Sequence, residues 1–353
     1  MSSPAATLRY REAFQTVRAA ASSLSGRRGL LLGAALALAI AVGCFFAVPV
    51  WTEEEPFTTE SLTFATNVVP DTTNDEEVDI EATLYIPKHA KFPISAVIIA
   101  PSSSGIEDER EIYYAKELVK AGIAALVIDS FTPRGLTDSV YDQSLLEAWD
   151  IENDAIAALQ ELIADKRFKP NRIAIMGVSK GGSVAMNTAL TARRRWTGVD
   201  DARFAAHVAI SPDCTWTTRR ASTTGAPIFF MLAELDEQTP APPCLAQAAR
   251  IKEAGNKRVE TKVYPGAHHA WEELGSAPEY DPKAENYSQC RVWIEDDGKM
   301  FSADTGELVP EDEWHAWAKT NCMTLGTKCC GGTLELKETA TRDIIAFLRR
   351  YGF

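Results

Sequence analysis

Arg172-Ile173-Ala174-Ile175-Met176-Gly177-Val178-Ser179-Lys180-Gly181-Gly182 decides how the rest of this chain is read. A short apolar run of strand character feeds directly into a serine flanked by glycines, and Ser183 to Leu190 can wind into a helix. A strand, a G-x-S-x-G turn and a helix hold a serine hydroxyl out of the backbone at a sharp corner. The glycines are there because a side chain at Gly177 or Gly181 would run into neighbouring backbone.

A serine hydroxyl attacks nothing until a base takes its proton, so a histidine and a group to orient it must lie elsewhere in the chain. Of the five histidines, His207 sits inside an apolar strand and reads as core, while His89 and His315 lie in irregular polar surroundings. The pair in Tyr264-Pro265-Gly266-Ala267-His268-His269 follows the last strand-like run, as the chain order serine, acid, histidine requires. Asp236, just after the apolar run Ile228 to Leu232, is the expected acid, with Asp213 after the preceding run as the alternative.

Working outward, Val78, Ile80, Ala82, Leu84 and Ile86 alternate with polar residues, the period of a strand with one buried face. Strand-sized apolar runs recur at 96–100, 124–128, 172–176, 206–210, 228–232 and 259–264. Helix-like stretches separate or follow them at 109–120, 147–165, 245–254 and 338–351. Such alternation predicts an α/β architecture, a mostly parallel sheet covered by helices on both faces. Residues 275–335 break the rhythm and read as an inserted, Cys-rich excursion. The catalytic domain is thus expected over 77–353, preceded by a linker at 51–76 in which Leu62 to Val69 is a candidate strand.

The N-terminal part has a different character. Residues 29–50 carry no charge, and at 1.5 Å per residue such a helix would cross a bilayer core. Its length exceeds a signal-peptide core of about 7 to 15 residues, so an uncleaved transmembrane signal anchor is expected. Arg9, Arg11, Arg18, Arg27 and Arg28 precede it and Glu53-Glu54-Glu55 follows, which orients 1–28 to the cytoplasm and exports the body to the periplasmic or extracellular side. The whole chain has a formal net charge of -13, concentrated in the body; nucleic acid is therefore excluded as a partner, because such binding draws on cationic groups.

Outside the cytosol cysteines pair. A bridge between Cys214 and Cys244 is expected, since both follow neighbouring strands at one sheet end, with at least one more among Cys290, Cys322, Cys329 and Cys330. Adjacent Cys329 and Cys330 are expected not to pair with each other.

Several pieces together give a resemblance over about 77–271. They are Ala100-Pro101-Ser102-Ser103-Ser104-Gly105, Asp129-Ser130-Phe131-Thr132-Pro133-Arg134-Gly135, the Gly-Val-Ser-Lys-Gly-Gly elbow, Asp236 with Pro240, and Tyr264-Pro265-Gly266-Ala267-His268-His269-Ala270-Trp271. The chain resembles the dienelactone hydrolase family of the α/β-hydrolase superfamily, as a variant with serine where the best-known members use cysteine. The resemblance implies hydrolysis of ester or lactone bonds through an acyl-enzyme on Ser179, with His269 rather than His268 as base. It also implies an oxyanion hole from the amides of Lys180 and Ser103, and no cofactor or metal. A small ester or lactone bearing an anionic group, held by Arg134 and Lys180, is the expected substrate. Amide or thioester hydrolysis would use the same residues, and a non-catalytic binding protein on this scaffold is the rival from another class.

Overall fold

The computed structural model describes residues 55–66, 77–196, 202–275 and 277–353. The basic segment 1–28 and the expected anchor 29–50 lie outside the described residues, among which no helix is long and apolar enough to cross a membrane.

Eight strands form the main sheet. They are β1 (Phe57–Ala65), β2 (Asp79–Pro87), β3 (Ile94–Ala100), β4 (Ala124–Asp129), β5 (Phe168–Val178), β6 (His207–Ile210), β8 (Ile228–Ala233) and β9 (Val259–Tyr264). A separate short strand, β7 (Trp216–Thr218), lies between β6 and β8 in sequence. The order across the sheet is β1-β2-β4-β3-β5-β6-β8-β9. From β4 to β9 every neighbouring pair is parallel, and β1 and β2 add an antiparallel edge. β1 falls inside the stretch read as a linker, overlapping the candidate strand there, and its nine-residue register with β2 makes it part of the sheet.

Burial on both faces explains why the central strands are nearly continuous apolar runs. In β3, Ala96, Ile98 and Ala100 point to one core and Val97 and Ile99 to the other. Helices α2 (Ala148–Ala164), α3 (Lys180–Asn187) and α5 (Ala241–Glu253) close the first core through Ile151, Leu159, Val184 and Ile251. Helices α1 (Tyr113–Lys120) and α7 (Leu334–Arg350) close the second through Tyr114, Leu118, Ile344 and Phe347. Each such side chain, fully removed from water, contributes about 1.5–3 kcal/mol. The remaining short helix, α4 (Thr191–Trp196), follows α3.

The described residues of the excursion form strands and a helix. β10 (Glu279–Asn286) pairs antiparallel with β14 (Thr324–Cys329). β11 (Val292–Ile294), β12 (Met300–Ser302) and β13 (Leu308–Val309) extend into a small sheet whose fourth strand is β7 of the hydrolase body. Helix α6 (Trp314–Asn321) precedes β14. Cys290–Cys322 ties β11's approach to the end of α6, and Cys214–Cys244 pins the start of the β7 segment to α5, both as expected. The third pairing corrects an expectation: Cys329 bonds Cys330. The two residues straddle the end of β14, where Cys330 takes a left-handed conformation (φ +69°) and the other four cysteines among the described residues are already paired with one another.

Candidate active site

The site grows from the end of β5. Ser179 is held at φ +57°, ψ -118°, off the helical and extended regions, with its amide bonded to the Ile210 carbonyl of β6. A side chain at Gly177 would place its Cβ 2.5 Å from the carbonyl carbon of Gly181, so the crossing of strand and helix demands glycine there. Such strain persists only where the surroundings enforce it, and it clusters at functional sites.

Three loops at the same sheet edge bring the partners together. His269, buried, points Nε2 at Ser179 Oγ across 2.9 Å. Its Nδ1 donates to Asp236 Oδ2, also across 2.9 Å. Ordinary burial would keep the imidazole neutral, but the adjacent Asp236 carboxylate outweighs it and raises the pKa above the usual histidine value. Asp236 responds in the opposite sense: burial alone would raise it, yet His269 and the donors around it hold the carboxyl below its ordinary range. His268 does not take part: the bonds to Ser179 and Asp236 are made by His269, and His268 Nδ1 is buried without a hydrogen-bond partner among the described residues. Asp213 is spent on its own turn, accepting from the amide and hydroxyl of Thr215, and burial pushes it up to about 6.

Thr239 is the residue sequence reasoning missed. Its hydroxyl lies 2.9 Å from Asp236 Oδ2, 3.1 Å from His269 Nδ1 and 3.0 Å from the Ser211 carbonyl, while its amide donates to Asp236 Oδ1 at 2.7 Å. An aspartate followed three residues on by a threonine, just before a helix start, was the available signal. A second missed group is the buried pair Arg110 and Glu111. Glu111 accepts from the amides of Ser102 and Glu107, and Arg110 reaches Ser104 Oγ, so together they brace the loop that carries Ser103.

Ser103, Ser179 and Lys180 line one cavity of about 190 Å³. The Lys180 side chain is turned into its surroundings, where Nζ donates to Ser139 Oγ (2.8 Å) and to the Leu146 carbonyl. Burial lowers its pKa to about 8 against the pull of Glu147, Asp150 and Glu285. Arg134 is not brought to the cavity, which corrects its expected role in substrate binding. Its guanidinium forks onto Asp154 of α2 at 2.8 and 2.9 Å and also holds the Ser130 carbonyl. The Arg134 side chain turns to α2, although Ser139 further along the same loop bonds the Ser103 carbonyl, and the bidentate pair with a fully buried carboxylate leaves no fork for a ligand.

An imidazole fixed by a carboxylate on one nitrogen and aimed at a hydroxyl with the other can take that hydroxyl's proton. Such a relay at the carboxyl end of a mostly parallel sheet, with its serine at a strand-to-helix elbow, defines an α/β-hydrolase. The model of the dienelactone hydrolase family matches residues 80–294, and the chain belongs to that family of carboxylic ester hydrolases. No curated protein matches.

Among solved structures, a provisionally assigned dienelactone hydrolase from Klebsiella pneumoniae is 16% identical with a TM-score of 0.46, over 61% of this chain and 88% of that one. An esterase from Thermogutta terrifontis is 16% identical with a TM-score of 0.44, over 59% and 83%. A thermostable esterase from Pseudomonas putida is 16% identical with a TM-score of 0.45, over 62% and 76%.

Proposed function

We propose that the protein is a serine esterase working by two-step acyl transfer. Ser179 Oγ attacks the ester carbonyl while His269 Nε2 takes its proton, and the amides of Lys180 and Ser103 donate to the oxyanion that forms. The intermediate collapses, the alcohol leaves with the proton from His269, and water repeats the sequence on the acyl-enzyme to release the acid. Asp236 holds the imidazole in the tautomer that accepts at Nε2. The observation that carries this reading is the unbroken line Ser179–His269–Asp236, 2.9 Å at each step. Lys180 supports it through its place at the first turn of α3, where amides have no intrahelical acceptor.

Fluorophosphonate labelling tests the proposal. The probe should label wild-type protein at Ser179 and lose it in Ser179→Ala and His269→Ala, with His268→Ala retaining it. Labelling that survives Ser179→Ala would sink the assignment.

The same proposal places the enzyme outside the cytoplasm on a membrane anchor. It is supported by the arginines ahead of the uncharged stretch 29–50 and by three disulfides in the body.

A further inference from the structure

The excursion builds one wall of the cavity in front of Ser179. Tyr287, Met300 and Trp314 come from it, and Trp149 and Trp216 face them from the hydrolase body. Trp314 lies edge-on to Trp216 with ring centroids 4.6 Å apart, and Tyr287 follows at 5.8 Å. The wall is fixed from behind: β11 pairs with the strand carrying Trp216, and Cys290–Cys322 closes the segment between β10 and α6. Aromatic faces carry negative charge and attract cations as well as apolar groups.

The charges around the cavity favour the same kind of ligand. Four carboxylates line it, from Glu147, Asp213, Glu285 and Glu311, against two cations. Both cations and three of the carboxylates are already engaged: Asp213 accepts from Thr215, Glu147 accepts from Trp314 Nε1, and Glu285 pairs with Lys319 at 3.2 Å. Arg193 is paired with Glu152 at 2.6 Å and lies over the Trp149 ring, and Lys180 donates to Ser139 and Leu146. Arg134 is withdrawn to Asp154. Glu311, by contrast, is exposed and has no ion-pair partner among the described residues. The hydroxyl of Thr217, more than nine-tenths buried and lining the cavity, has no hydrogen-bond partner, a seat for a polar atom of a ligand.

We propose that this cavity selects esters bearing a flat apolar group that ends in an ammonium, and disfavours esters ending in a carboxylate. This rests on the proposed role of Ser179 and reverses the anionic substrate expected from the sequence. The apolar group packs against Trp216, Trp314 and Tyr287, and the cation lies between those rings and Glu311.

A matched series of para-substituted benzyl acetates tests it: trimethylammonio, its neutral isostere tert-butyl, and carboxylate. The expected order in kcat/KM is ammonium, neutral, carboxylate, with about tenfold at the first step, between the sizes of an exposed and a desolvated cation–aromatic contact. Trp314→Ala should bring the ammonium-to-neutral ratio close to one. Glu311→Gln should lower the rate on the ammonium ester and raise it on the carboxylate ester. Ratios compared between wild type and variants cancel the esters' intrinsic reactivities. A carboxylate ester as good as the neutral one, or ratios unmoved by both substitutions, overturns the proposal. Calorimetric binding of phenyltrimethylammonium settles it without turnover: binding that weakens in Trp314→Ala supports the site, and no binding to wild type ends it. Loss of fluorophosphonate labelling and of all ester turnover would instead count against Ser179 alone.

Discussion

At the scale of single residues, the site is a set of opposed electrostatic effects whose balance sets its pH behaviour. Burial disfavours a charged His269, the Asp236 carboxylate favours it more, and the net pKa lies above 6.5. In the proposed mechanism His269 must be neutral to act, so kcat/KM should fall as pH drops through that raised value. Asp236→Asn removes the raising partner and leaves burial, so the acid limb of the pH–rate profile should move to lower pH, with kcat down by roughly 10⁴-fold. An unmoved limb would show that another group controls it. The same raised pKa stabilises the fold at low pH and loses that contribution as pH rises through it, while the lowered Asp236 contributes above its unfolded value and fades as pH falls. Thr239→Val keeps the shape but deletes a hydroxyl 2.9 Å from Asp236. A lost hydrogen bond to a charged group is worth about 1.5–3 kcal/mol, so kcat should drop roughly ten- to a hundredfold with KM little changed. Equal loss in KM would point to a collapsed cavity instead.

At the scale of elements, three loops at the carboxyl ends of β5, β8 and β9 deliver the proposed nucleophile, acid and base, and each is set by its own local chemistry. The elbow is glycine-enforced, Asp236 is locked by the amides of Gln238 and Thr239, and the turn after β9 is tied to β14 where the Cys330 amide donates to the His269 carbonyl. The excursion is a different kind of element, a small sheet that borrows β7 and depends on its disulfide. Cys290→Ser with Cys322→Ser opens a bridge spanning 32 residues, a loss of about 3–4 kcal/mol to that part. The expected result is a lower melting temperature and a reduced preference for aromatic esters, with fluorophosphonate labelling of Ser179 retained. Labelling lost along with the preference would mean that the excursion also holds the base.

At the scale of the whole molecule, the acidic body and the basic, apolar N-terminal stretch divide the proposed labour between catalysis and attachment. A chain starting at residue 51 should leave the membrane fraction for the soluble one with its kcat on a small neutral ester unchanged. Activity that stays soluble in the full-length protein, or free thiols found by mass mapping at the six body cysteines, would remove the exported, anchored reading.

The order of strands and helices was legible because periodicity and punctuation are local. Apolar runs bounded by glycine and proline placed every strand of the parallel region, and the elbow at 172–182 supplied the expectation of serine at a strand end. The preference for His269 over His268 comes from the family resemblance, whose histidine is followed by a small residue and an aromatic as Ala270 and Trp271 follow here, and the geometry puts His269 between Ser179 and Asp236. What the chain does not announce in its order is how long side chains are spent. Arg134 looked available because its loop ends near the active edge, yet a fully buried Asp154, twenty residues away on α2, claims it. Thr239 was hidden because a hydroxyl's partners are set by three elements meeting. The bonding of Cys329 to Cys330 was hidden too, since pairing depends on which sulfurs remain once Cys214–Cys244 and Cys290–Cys322 have formed. The excursion shows the division most plainly: its short, irregular strands carry no period to read, and only pairing with β7 turns them into the aromatic wall beside Ser179.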